Sequence, residues 1–135
     1  METLTWDDTL RTGFIEVDND HKKLIEILNT LITAINENKD REIIGKILQD
    51  LLSYTAWHFR HEERLMQTHR FSGLIAHKKE HTELIGQATQ LQQRYHNQEI
   101  DLTEEVLNFL KNWLTHHILE TDFLMSQFLR QIVNS

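Results

Sequence analysis

The chain reads as an all-α protein: an antiparallel up-down four-helix bundle with an N-terminal arm and a short C-terminal fifth helix. Three observations carry that expectation. Proline is absent and glycine occurs 4 times in 135 residues, so little interrupts a helix. Apolar residues recur at i, i+3, i+4 and i+7 in four long stretches, the stripe of an amphipathic helix. Strand-like alternation and long internal repeats are absent from the sequence. A chain of this length suits one domain, 1–135, around a single core.

The first 17 residues are mixed in character and predict an extended arm, with Trp6, Phe14 and Ile15 available to pack on the body. The first helix is expected from an Asp18 N-cap to about Asn38, with Leu24, Ile25, Leu28, Leu31, Ile32 and Ile35 as its apolar stripe. Asp40 caps the second, which carries Ile44, Ile47, Leu48, Leu51 and Thr55 on one face. The pattern breaks between Thr68 and Ser72, and Gly73 marks a short connection. The third helix shows Leu74, Leu84, Ile85, Ala88, Leu91 and Tyr95 in one stripe, ending at the polar stretch His96 to Asp101. Asp101 with Glu104 predicts a capping box for the fourth, whose inner face holds Val106, Leu110, Trp113 and Leu114. Phe123, Leu124, Phe128, Leu129 and Ile132 predict the fifth helix.

Bulk properties exclude several classes. Net charge is 14 − 21 = −7, which disfavours an electrostatic grip on nucleic acid or an anionic membrane. No apolar run approaches the ~20 residues needed to span a bilayer. The N-terminus lacks a basic and apolar leader, so a cytoplasmic location is expected. With no cysteine, disulfides, Cys-ligated zinc and iron–sulfur clusters are ruled out.

Seven polar side chains sit on the inward stripes where leucine-like residues belong: His21, His58, Glu62, His77, His81, His117 and Asp122. Such groups are costly to keep dry without partners, and the partner that suits imidazoles and carboxylates together is a metal centre. Residues four apart on a helix lie about 40° apart, so His58 with Glu62, and His77 with His81, can each reach a common point. A lone histidine on an apolar face is more often a hydrogen-bonded core residue. Seven such groups on four stripes would each need separate satisfaction, and a shared metal site accounts for them together. His61, His69, His96 and His116 fall off the stripes or at helix ends, and read as solvated surface residues.

Asp122 is the awkward member. Five residues after His117, it lies about 140° around a regular α-helix. If both face one centre, the helix must end, tighten or bulge between Ile118 and Asp122. The donor set favours iron, zinc or manganese over calcium or magnesium. Five imidazoles, two bridging carboxylates and one oxo or hydroxo bridge supply about eleven of the roughly twelve bonds that two octahedral ions take. One position stays open, and Leu24, Leu28, Leu110, Trp113 and Leu114 are the apolar residues expected to line it, beside their ordinary role as core.

The run Val17-Asp18-Asn19-Asp20-His21-Lys22-Lys23-Leu24, with His58-x-x-x-Glu62, His77-x-x-x-His81 and Trp113-x-x-x-His117-Ile118-x-x-x-Asp122, resembles the hemerythrins, specifically the single-domain bacterial ones. The resemblance spans nearly the whole chain. It implies two iron ions in an oxo- or hydroxo-bridged, non-haem centre that binds dioxygen reversibly, a carrier rather than an enzyme. It assigns His77, His81 and His117 to one iron, His21 and His58 to the other, and Glu62 and Asp122 to both. It also implies a monomer, or at most a weak homo-oligomer. Three other classes remain beside the carrier. Ferritin-like oxidases use Glu-x-x-His motifs, which this sequence lacks. Sensing modules in the family are usually fused to signalling domains. A dizinc hydrolase would need a base and an oxyanion donor that the sequence does not suggest.

Overall fold

In the computed structural model, residues 2–133 are described, those at 118, 119 and 133 by backbone alone. The side chain of Ile118, part of the quoted motif, therefore lies outside the described residues. Helices α1 (Ile15–Asn36), α2 (Arg41–Thr68) and α3 (Leu74–His96) are followed by α4 (Glu104–His116). A π-helical segment, His117–Asp122, then leads directly into α5 (Phe123–Val133). The described residues contain no strand, and no helix among them is long and apolar enough to cross a membrane.

Two starts differ from the expectation. Helix α1 begins three residues before Asp18, whose buried carboxylate turns back to accept the N–H groups of Thr12 and Gly13 and the Thr12 hydroxyl. Those amides lie in the arm, which would otherwise hold unpaired donors against the bundle. Asp18 thus ties down the arm rather than capping the helix. The arm is not wholly extended, since Asp8–Leu10 form a short 3-10 turn. At α4 the cap is Thr103, whose hydroxyl accepts from the Val106 N–H, while Asp101 instead pairs with the Arg41 guanidinium at 2.7 Å. Asp40 caps α2 as expected, accepting from the Ile43 N–H.

The three turns between helices share one device. Asn38, Arg70 and Gln98 each take a positive φ of 55–61° just past α1, α2 and α3. The next residue then donates back across the turn: Lys39 to Ala34, Phe71 to Met66 and Glu99 to Arg94. This left-handed close satisfies orphan carbonyls and reverses the chain, though glycine would bear that φ more cheaply. Helix α1 consequently stops two residues short of the expected Asn38.

The interior divides into two apolar clusters. The larger contains Leu24, Leu28, Leu48, Leu51, Leu107, Leu110 and Leu114; the smaller contains Val17, Met66, Met125 and Leu129. Along α1 the chain passes from the smaller cluster to the larger, along α2 from larger to smaller, along α3 back, and along α4 through α5 back again. Successive helices therefore run antiparallel, in up-down order. The fifth helix is no separate hairpin; it prolongs the fourth beyond its π-helical segment and closes the smaller cluster. Between the clusters, at the same level on all four helices, lies a polar layer.

Candidate metal centre

That layer consists of His21 on α1, His58 and Glu62 on α2, His77 and His81 on α3, and His117 with Asp122 at the two ends of the π-helical segment. All seven are buried, none more than 5% exposed. Their donor atoms form two groups, each with all its donors within 4.8 Å of one another: Glu62, His77, His81, His117 and Asp122 in one, and His21, His58, Glu62 and Asp122 in the other. Both carboxylates belong to both groups. Asp122 straddles them: its Oδ2 lies 2.6 Å from His21 Nε2 and 3.3 Å from His58 Nε2, and its Oδ1 lies 3.0 Å from His77 Nε2 and 2.9 Å from His117 Nε2. Glu62 Oε1 stands 3.1 Å from His81 Nε2 and 3.4 Å from the Nε2 atoms of His58 and His117.

The i→i+5 bonding of the π-helical segment brings Asp122 onto the face of His117. It is pinned from α3, where Glu80 accepts the Thr121 hydroxyl at 2.9–3.0 Å and the His117 Nδ1–H at 3.4 Å. These bonds hold the Glu80 carboxyl below its usual range, His117 contributing most and burial opposing.

Further carboxylates play the same part elsewhere. Asp20 accepts the Nδ1–H of His58 at 2.8 Å, and Glu63 accepts that of His81 at 3.0 Å. A carboxylate on Nδ1 fixes the tautomer and turns Nε2 inward, as around metal-bound histidines. The Phe59 ring stacks on His81 at 3.9 Å between centroids and lies 5.0 Å from His117; Trp113 packs behind it. Glu63, Glu80 and Phe59 were not singled out from sequence, and Asp20 stood only in the quoted run, with no role assigned. Of the four remaining histidines, His96 and His116 are exposed, whereas His61 is half-buried and donates to Asp20 at 2.6 Å, so it is not merely solvated. His69 is half-buried at the C-terminal cap of α2. Leu24, Leu28, Leu110 and Leu114 are buried and Trp113 half-buried, all in the larger apolar cluster.

The donor set fits a cation pair. Among the described residues, Glu62 Oε2, His81 Nε2 and His21 Nδ1 are buried without a hydrogen-bond partner, and an orphaned carboxylate oxygen and imidazole nitrogen in one buried layer are what a cation would satisfy. Without metal the layer holds itself together with protons. Burial opposes a charge on His58, but Glu62 and bonds to Asp122 and Asp20 outweigh it and raise its pKa to about 10. His77 rises in the same way to about 9 against burial, and His117 well above its ordinary value. Glu62 and Asp122 are correspondingly held below the usual carboxylate range, the facing imidazoles prevailing over burial.

The sign of the pH dependence follows. Raised histidines stabilise the metal-free fold fully below about pH 6.5, and that contribution is lost as pH climbs through 9 to 10. Depressed carboxylates add stability above about pH 4.5 that is lost on further acidification. The metal-free protein is therefore expected to unfold in less urea at about pH 9.5 than at about pH 6. Equal midpoints would show that these groups are not charged as described.

The chain was compared with known proteins. The hemerythrin HHE cation binding domain model matches residues 12–129. A bacteriohemerythrin of Methylococcus capsulatus is 34% identical over 128 residues, covering 92% of this chain and 95% of that one. A bacteriohemerythrin of Pseudomonas paraeruginosa is 34% identical over 122 residues, covering 90% and 78%. A crystal structure of wild-type hemerythrin superposes with a TM-score of 0.87 at 32% identity, covering 95% of this chain and 98% of that one.

Proposed function

The chain belongs to the hemerythrin family, and from that premise we propose that it binds dioxygen reversibly at a pair of iron ions, as a carrier and not as a catalyst. The observation that carries this reading is the sharing of Glu62 and Asp122 by two donor groups, one with three imidazoles and one with two. Three imidazoles and two carboxylate oxygens, with one bridging solvent oxygen, complete an octahedral shell; the two-imidazole side falls one donor short. When bound, a ferrous pair would supply the two electrons and the open position that dioxygen requires.

The protein's own residues do the rest. His77, His81 and His117 would hold one ion, His21 and His58 the other, with Glu62 and Asp122 across both. Asp20, Glu63 and Glu80 hold the imidazoles in register from outside. The larger apolar cluster excludes water and stray protons from one side of the site, through Leu24, Leu28, Leu110, Trp113 and Leu114, which we place around the open position. The reading takes residues 1–135 as one working domain, monomeric and cytoplasmic.

The test is loading with ferrous iron under argon, followed by metal analysis and cycles of air and argon. Two irons per chain and a visible band that comes with air and leaves with argon are expected. A protein that turns over dioxygen and stays ferric is an oxidase, and one without a visible band is no dioxygen carrier. Leu114→Tyr is expected to keep its iron content while changing the rate or affinity of dioxygen binding. Unchanged binding would remove Leu114 from the pocket.

A further inference from the structure

Of the side chains outside the donor set, one series runs unbroken from the polar layer to the surface. His58 donates its Nδ1–H to Asp20 Oδ2 at 2.8 Å, and His61 donates its own Nδ1–H to that same oxygen at 2.6 Å. The His61 ring lies 5.1 Å from the Trp57 ring, tilted 37°, and Trp57 lies 5.3 Å from Tyr54 at the same tilt. Exposure rises outward: the His58 side chain is 0% exposed, Asp20 7%, His61 18%, and Trp57 reaches 43% as a residue. The other anchored imidazoles differ. Those of His81 and His117 end on Glu63 and Glu80, side chains already 22% and 31% exposed, instead of on a carboxylate that a second histidine shares. Trp57 is also a large aromatic residue on α2 that is 43% exposed and belongs to neither apolar cluster. The series ends on the two-imidazole side, where the shell is one donor short.

We propose that Trp57, His61 and Asp20 form an electron route between the protein surface and the iron pair, entering through His58, by which a ferric pair is returned to the ferrous state. The inference rests on the iron pair of the preceding section but not on reversible dioxygen binding. Two hydrogen bonds through one carboxylate oxygen and one ring contact replace a path through apolar side chains, which couple poorly because no bonds or short polar contacts join them. The donor is an outer-sphere one-electron carrier of low potential meeting the exposed indole edge, such as a flavin semiquinone. Each ferric ion gains one electron and becomes ferrous; two donor molecules each lose one. No bond to the protein forms or breaks.

The experiment uses full-length protein loaded with iron, oxidised with ferricyanide and freed of reagent. It is mixed without air with reduced methyl viologen, and the loss of ferric absorption is timed. Trp57→Leu and His61→Leu are each expected to slow this step several-fold, because each removes one link between the indole edge and Asp20. In Trp57→Leu, which removes no hydrogen bond to the layer, iron content, the urea midpoint and the reduction potential are expected to stay at the parent's values, whereas a merely structural role would move at least one of them. Trp57→Tyr, which keeps an aromatic ring in the path, is expected to restore the parent's rate. Slowing of less than about threefold in both leucine variants overturns the route, as does a Trp57→Tyr variant as slow as Trp57→Leu. A chain that takes up no iron pair overturns the proposed function as well, and metal analysis tells the two failures apart.

Discussion

Glu62→Ala is expected to leave the protein with at most about one iron per chain where the parent holds two, because a carboxylate within reach of both donor groups leaves both at once. Glu62 Oε1 faces His58, His81 and His117, and Oε2 has no hydrogen-bond partner among the described residues. Removing the side chain strips the two-imidazole group to His21, His58 and Asp122, too few for a stable ion in a site that excludes solvent. The three-imidazole group keeps Asp122 and can still hold a single ion. Metal analysis after gel filtration reads the result directly. Retention of two irons would sink the shared-carboxylate arrangement, and with it the assignment of Glu62. His116→Ala, at an exposed position, is the control and should keep both.

The second large effect comes from the spacing between His117 and Asp122. The segment is π-helical because five residues must be fitted where four would align on an α-helix. Inserting one alanine after Glu120 adds about 100° of rotation beyond what the wide turn already absorbs, so Asp122 should leave the layer and the iron pair should be lost. Deleting the exposed Glu120 should instead convert the segment to α-helix, with the histidine and aspartate now four apart and still about 40° from one another on one face. That variant is expected to bind two irons and to unfold at a higher temperature without metal, having lost a poorly bonded turn. If the deletion loses iron while the insertion keeps it, the π-helical segment is not what aims Asp122.

The donors themselves were legible because periodicity acts within a helix. Imidazoles and carboxylates four apart on apolar stripes stand out against leucine at the same positions, and every one of the seven is buried in the layer. The Asp122 spacing even announced that the helix must deform. Asp20, Glu63 and Glu80 were not legible, because nothing local marks them. Their partners lie 38, 18 and 37 residues away, and an acidic residue one place from a stripe has the same sequence signature as a solvated one. His61 was misplaced for the same reason: its angle on α2 points it off the stripe, and only α1 packing beside it supplies Asp20. The Asp18 and Asp101 caps failed because each carboxylate found a stronger partner outside its own helix, arm amides for one and Arg41 for the other.

What the amino-acid order determined alone is therefore the set of helices, their inward faces and the seven polar groups upon them, since these follow from rotation of about 100° per residue along each chain segment. What only the tertiary structure decided is which carboxylate anchors which imidazole, how the π-helical turn is pinned by Glu80, and that two donor groups share Glu62 and Asp122. Those are relations between helices, set by how close four separate backbones come, and no period along one of them contains that distance.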